Sequence, residues 1–166
     1  VIGAISALVV LILAAGLQSA LFSQITLLHG QTDLMLLTLL AWYLHEDAPS
    51  SWVWALLGGL MLGWLSALPW WLYAVVYSAA ALLTTYLRRR LWRTSLFTYL
   101  LLIVFITPAI LLLEYGYLRI TGTPIALTDS LRLVVFPSLL LNLIFALPVY
   151  ALVDEWILLF FPQEEE

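Results

Sequence analysis

Ser138 and Asn142 stand four residues apart in the apolar run Phe136-Pro137-Ser138-Leu139-Leu140-Leu141-Asn142-Leu143-Ile144-Phe145-Ala146-Leu147-Pro148-Val149-Tyr150-Ala151-Leu152. On a helix that spacing puts them on one face. An amide left unpaired in hydrocarbon costs several kcal/mol, so the face is expected to look at protein rather than acyl chains. The chemistry on offer is hydrogen bonding between helices, worth roughly 0.6 to 2 kcal/mol per bridge. Gln18 and Ser19, near the end of the first apolar segment, offer the same. Glu114, in Leu111-Leu112-Leu113-Glu114-Tyr115, is the sharpest ionisable candidate. It either holds a neighbouring helix or partner, through Arg119 or Arg132, or reaches the headgroups with no specific partner.

Catalytic patterns are absent. The chain has no His-Glu-x-x-His, no Gly-x-Ser-x-Gly and no phosphate loop, and nothing brings a base or nucleophile to Asp33 or Glu114. It has no cysteine, which removes disulfides, thiolate catalysis and cysteine-held metals together. His29 and His45 lie at span ends, where neither can ligate a haem or chlorin inside a span. A protein that is not an enzyme, with neither cofactor nor metal, is the expectation.

The elements that carry these residues must sit in lipid. Apolar residues make up 64% of the chain and charged ones 10%, more apolar surface than a soluble domain of 166 residues can bury. There are six arginines, no lysine and ten acids, three of them Glu164, Glu165 and Glu166 at the end. With no basic stripe, a nucleic-acid partner is not expected. Val1 to Leu13 has no basic flank and no small-residue cleavage site after it, so an uncleaved first span is expected, with the natural start lying upstream of Val1.

A crossing needs about 20 helical residues. Spans are expected near 2–22, 52–67, 70–87, 95–118 and 131–152, with a weaker one at 26–45. Within the last, Leu34 to Leu44 is half a comfortable crossing: either a short tilted helix continued into 26–32, or a re-entrant segment packed inside the protein. Pro49-Ser50-Ser51 breaks one connection, with Ser51 as an N-cap, and Pro69 closes a tight hairpin between the third and fourth spans. The longest loop is expected at roughly 119–130, around Gly122-Thr123-Pro124, with Thr128 or Asp129 capping the final helix. The fold class is therefore an all-α integral membrane protein, one transmembrane domain over 1–166 with about six transmembrane helices.

Arg88, Arg89, Arg90 and Arg93 form the densest basic patch, which the positive-inside rule places in the cytoplasm. The C-terminus then returns to the cytoplasm, and the N-terminus joins it if 26–45 crosses. The patch is foremost a topology signal; it also suits anionic lipid headgroups or a cytoplasmic partner. Trp42, Tyr43, Trp52, Trp54, Trp70, Trp71, Tyr73, Trp92, Tyr115, Tyr117 and Trp156 lie mostly near span ends, as interface anchors do. Gly59 and Gly63, with Gly58 beside them, make a flat face for close helix packing within the bundle. Pro108 and Pro148 should bend or end their helices.

The order Pro137-Ser138-Leu139-Leu140-Leu141-Asn142, then Pro148-Val149-Tyr150, resembles the closing helix of the MreD family, small membrane proteins of the bacterial rod-shape system, the elongasome. Leu17-Gln18-Ser19, Thr32-Asp33-Leu34, Gly58-Gly59-Leu60-Met61-Leu62-Gly63 and Arg88-Arg89-Arg90 extend the resemblance over most of the chain. The family often carries an acid shortly after the glycine-rich helix; Gly63-Trp64-Leu65-Ser66 has none. The resemblance implies a six-helix fold similar to the substrate-binding component of energy-coupling-factor transporters. It implies a scaffold in the bacterial inner membrane that binds MreC, a single-span protein, and through it RodA with its transpeptidase and MreB, in support of peptidoglycan synthesis and cell shape. Gln18, Asp33, Gly59, Gly63, Glu114, Ser138 and Asn142 are the candidate helix-packing or partner-contact residues. The alternative is a vitamin or metabolite transporter's substrate-binding component, with a polar pocket drawn from Gln24, His29, Gln31, Arg119, Thr121, Thr123 and Asp129.

Overall fold

The structure, a computed structural model, describes residues 2–22, 24, 26–45, 52–66, 68–90 and 95–161. In chain order it comprises α1 (Ile2–Leu17) with a π-helical turn (Gln18–Phe22), a short hairpin of β1 (Thr26–Leu27) and β2 (Gly30–Gln31), and α2 (Leu34–Leu44). Then follow α3 (Trp52–Leu65), α4 (Trp70–Arg90), α5 (Ser95–Ile120), the single turn α6 (Leu127–Ser130), a second π-helical turn (Leu131–Val135) and α7 (Phe136–Phe160). Ser51 and Arg93 lie outside the described residues.

The protein is an α-helical, multi-pass membrane protein, but its helices are not six equal crossings. Three are long and apolar enough to span: Trp70–Arg88, Leu96–Ile120 and Leu127–Phe160. The other three apolar helices, Ile5–Ala20, Leu34–Leu44 and Trp52–Leu65, are shorter. The expectation of six full spans is corrected accordingly. The physical reason is clearest at 26–45, where part of the crossing distance is covered by extended chain rather than helix. An α-helix of 11 residues is only about 16 Å long, roughly half the hydrocarbon thickness.

That short helix is the centre of the fold. All 11 residues of α2 are buried, and α1, α3, α4, α5 and α7 all pack against it. Outside, the pattern inverts that of a soluble domain. Leu140, Ile144 and Leu147 of α7, Phe97 and Phe105 of α5, and Val75 and Leu82 of α4 are exposed, whereas Ser138, Asn142, Thr107 and Thr84 are buried. An apolar exterior of that extent is stable only against lipid.

α3 and α4 form the expected hairpin around Pro69, the most extensive helix-to-helix contact among the described residues. A Cβ at Gly59 would lie 2.6 Å from the Tyr73 carbonyl oxygen and 2.7 Å from the Ala74 Cα. At Gly63 it would lie 2.6 Å from the Trp70 Cα. The backbones touch because neither glycine carries a side chain. Gly58 faces the other way, towards Leu39 and Met35 of α2.

Two further expectations change. The loop after α5 is shorter than 119–130, because α5 runs to Ile120 and helix resumes at Leu127. Ala126 is its N-cap and makes no side-chain cap bond; Thr128 and Asp129 lie inside the first turn instead. Neither Pro108 nor Pro148 ends its helix, since α5 and α7 continue through them. Each ring removes one backbone donor without stopping the ladder.

Candidate functional site

Extended backbone inside a membrane protein must find partners for its N–H groups, because no water is there to take them. Residues 29 to 33 solve this by lying along the start of the last helix. The His29 N–H donates to the Leu133 carbonyl at 3.0 Å, the Gln31 N–H to Ser138 Oγ at 3.0 Å and the Asp33 N–H to Asn142 Oδ1 at 2.8 Å. Alternate residues of an extended chain point their N–H groups the same way, and their spacing matches the helix. Two extended steps from Gln31 to Asp33 advance about 7 Å, close to the roughly 6 Å of the four helical steps from 138 to 142.

Each acceptor has a cause in the sequence. Pro137 has no N–H to give to the carbonyl four residues earlier, which is that of Leu133. That carbonyl takes His29 instead. Ser138 and Asn142 supply side-chain oxygens one and two turns on. Asn142, fully buried, uses its other end as well: Nδ2 donates to Thr107 Oγ1 of α5 at 3.0 Å. Gly30 permits the approach. A Cβ there would lie 2.5 Å from the Ser138 backbone nitrogen and 2.6 Å from the Pro137 Cβ.

Asp33 then starts α2. One carboxylate oxygen accepts the Leu36 N–H at 3.0 Å, an N-cap bond, and the other accepts the Tyr77 hydroxyl. Gln18 Oε1 takes the Met35 N–H at 2.9 Å. Two free donors of the first turn are thereby satisfied, and an acceptor side chain faces the positive end of the helix dipole. At the other end of α2, Arg88 Nη1 donates to the Tyr43 carbonyl at 3.2 Å and the His45 carbonyl at 2.9 Å. His45 Nε2 lies 2.9 Å from Asp154 Oδ1 on α7.

Beside the Asp33 end lies a cavity of about 410 Å³. Gln18, Asp33, Glu114, Ser138 and Asn142 all line it, together with His29, Gln31, Thr32, Ser66, Tyr73 and Thr107. Glu114 is set against the Tyr73 hydroxyl, which accepts from Ser66 Oγ at 3.2 Å. Arg119 and Arg132, expected as partners of Glu114, are not paired with it and do not line the cavity. The Thr32 side chain is 2% exposed, and its Oγ1 has no hydrogen-bond partner.

Five candidate residues named from the sequence thus meet at one place. Gly59 and Gly63 do not join them; they lie in the α3–α4 contact. The basic patch separates too, with Arg88 turned inward onto α2 and Arg90 over the Tyr86 ring at 5.5 Å. Of the pocket residues proposed for a transporter, His29 and Gln31 line the cavity, whereas Gln24, Arg119, Thr121, Thr123 and Asp129 do not. Sequence reasoning missed Gly30, Thr32, Tyr73, Tyr77 and Thr107. Thr32 stands in the Thr32-Asp33-Leu34 marker and Tyr73 among the interface aromatics, and Gly30 is a lone glycine two residues ahead of Thr32-Asp33, but Tyr77 and Thr107 carry no signal.

A second concavity is apolar and opens to the lipid between α1 and α3. It measures about 530 Å³ and is lined by Ile12, Ala15, Gly16, Leu57, Leu60, Met61 and Trp64, among others. A Cβ on Gly16 would meet nothing within 4 Å.

Comparison with protein-family models, with curated proteins and with solved structures finds no match to this chain.

Proposed function

We propose that the chain is a non-enzymatic scaffold subunit of the bacterial elongasome, of the MreD type, which binds an MreC-like single-span protein in the inner membrane. The observation that carries this reading is the apolar groove between α1 and α3. Its floor is the small pair Ala15-Gly16, its walls are Leu57, Leu60 and Trp64, and the space over Gly16 is empty. Small residues flanked by large apolar ones let a neighbouring helix backbone approach closely in lipid. The internal hydrogen bonds of residues 29–33 keep the core that supports the groove in one arrangement. Both termini lie on the cytoplasmic side in this reading, with RodA, its transpeptidase and MreB reached through the partner.

The test is affinity purification in mild detergent, with the partner co-expressed. Recovery of an MreC-like protein with the wild type, and its loss in Gly16→Trp and Leu60→Trp but not in Phe105→Trp, is expected. Phe105 is 66% exposed on α5, so it controls for a bulky change elsewhere on the lipid face. Recovery of a transporter ATPase pair without an MreC-like protein would overturn the proposal.

The cavity favours a second reading, the substrate-binding component of a vitamin or metabolite transporter. Pockets for small molecules run to about 300–1,000 Å³ with a few placed polar groups, and membrane transporters build them where helices are interrupted. The space at the start of α2 meets both descriptions.

A further inference from the structure

We propose that the cavity beside α2 binds a small organic ammonium ion with an apolar body, held by Glu114 and Thr32. This rests on the reading of the cavity as a solute site and adds the charge and shape of the solute.

The charge follows from what the wall contains. Among the described residues two carboxyl groups, Asp33 and Glu114, line the space and no arginine does; the chain has no lysine. His29 and Tyr73 are the other titratable groups there. The two acids are not equivalent. Asp33 has both oxygens engaged, by Leu36 and Tyr77, and faces the positive end of the α2 dipole. Glu114, in the last two turns of α5, caps no helix, and among the described residues the group set against it is the Tyr73 hydroxyl. A carboxylate can accept about four hydrogen bonds, so most of its capacity is unused. An ammonium ion beside Glu114 would supply the counter-charge that a carboxylate needs inside a protein surrounded by lipid.

Thr32 points to a ligand independently. A hydroxyl that is buried to 2% and has no partner, at the edge of a cavity, is an open position for a donor or acceptor. The volume decides between an organic ion and a metal. A water takes about 30 Å³ of liquid, so a space of 410 Å³ is far larger than one dehydrated metal ion needs. Among the described residues no group of three or more His, Cys, Asp or Glu side chains converges to hold a metal. Leu62, Leu65, Ile110 and Leu111 supply an apolar wall for the rest of the molecule.

The experiment is thermal unfolding of the full chain in detergent at constant ionic strength. The probes are benzylammonium, ethanolammonium and tyramine, each set against an uncharged isostere (benzyl alcohol for the first) and against benzoate as the anion. At a tenfold excess over its dissociation constant, at least one ammonium ion should raise the midpoint by about 3–6 °C, while the isosteres and benzoate do not. Glu114→Gln, which keeps the shape and can still accept from Tyr73, should abolish the shift. Its own midpoint without probe shows that it folds. Thr32→Val should weaken binding by about tenfold, as expected for one hydrogen bond to a charged group. Equal shifts from ammonium ions and their neutral isosteres would overturn the charge assignment and leave a solute site standing. No shift from any probe would overturn both.

Discussion

Gly30 rests directly on Pro137, so close that a methyl group on the glycine would sit 2.6 Å from the proline Cβ. The two residues are halves of one device. Pro137 withholds an N–H and so leaves the Leu133 carbonyl for the extended chain; Gly30 lets that chain come near enough to use it. Ser138 and Asn142 continue the same row of acceptors. What looks in the sequence like a membrane helix with misplaced polar residues is a helix built to hold a non-helical neighbour.

Gly30→Ala should therefore cost stability out of proportion to one methyl group. The clash is with backbone and a proline ring, which cannot swing aside, so the strand must lift and the three N–H bonds lengthen. An overpacking cost of about 1–3 kcal/mol is expected. Thermal or denaturant unfolding in bicelles, with Gly116→Ala as the control, would measure it. A Gly30→Ala midpoint equal to the wild type would contradict the close packing.

Asn142 serves two neighbours at once, so its loss should not add simply to theirs. Asn142→Leu leaves the Asp33 N–H without an acceptor and Thr107 without its donor, at a cost of about 2–4 kcal/mol. Thr107→Val should cost about 1 kcal/mol. The double variant should be less destabilised than the sum by roughly 0.5–1 kcal/mol, because the Asn142–Thr107 bond is lost only once. Strict additivity would mean that the bond contributes nothing.

Much of this was legible beforehand, and what was not has a physical reason. The four-residue spacing of Ser138 and Asn142 put them on an inward face, and the shortness of Leu34 to Leu44 left a re-entrant segment open as one of two choices. Hydropathy could not choose between them, because an extended strand and a helix of the same apolar residues score alike. For Glu114 charge suggests Arg119 or Arg132, or no specific partner, whereas the packing of α4 against α5 brings Tyr73 to it. Tyr77 and Thr107 look like ordinary span residues; only the tertiary contacts reveal that one bonds Asp33 and the other Asn142.

Arg88 is part of a run that reads as a topology signal, yet its guanidinium closes the C-terminal end of α2. Arg88→Ala should cost about 1–3 kcal/mol, from two carbonyls left without a donor and a lost charge at the helix end. Arg90→Ala removes a cation–π contact worth about 0.5–1 kcal/mol at most, and should change stability little. Lysine at 88 is no equivalent, since an ammonium lacks the planar fork and is more strongly hydrated. If unfolding measurements ranked the two alanine variants equally, Arg88 would be acting through net charge alone.

The glycines of α3 divide by what stands over them, and the division can be measured. Gly59→Ala puts a methyl 2.6 Å from the Tyr73 carbonyl and 2.7 Å from the Ala74 Cα, both backbone atoms, so α3 and α4 must part. Separation weakens the most extensive helix contact among the described residues and moves Tyr73, which stands against Glu114 at the cavity. A loss of about 1–3 kcal/mol is expected. Gly116→Ala meets nothing within 4 Å inside α5 and should leave stability unchanged or raise it by up to about 1 kcal/mol. A cysteine pair bridging α3 and α4 at positions other than the two glycines, cross-linked in membranes, would report the separation directly. Undiminished cross-linking when a neighbouring Gly63→Ala is added would show that the interface tolerates the extra width.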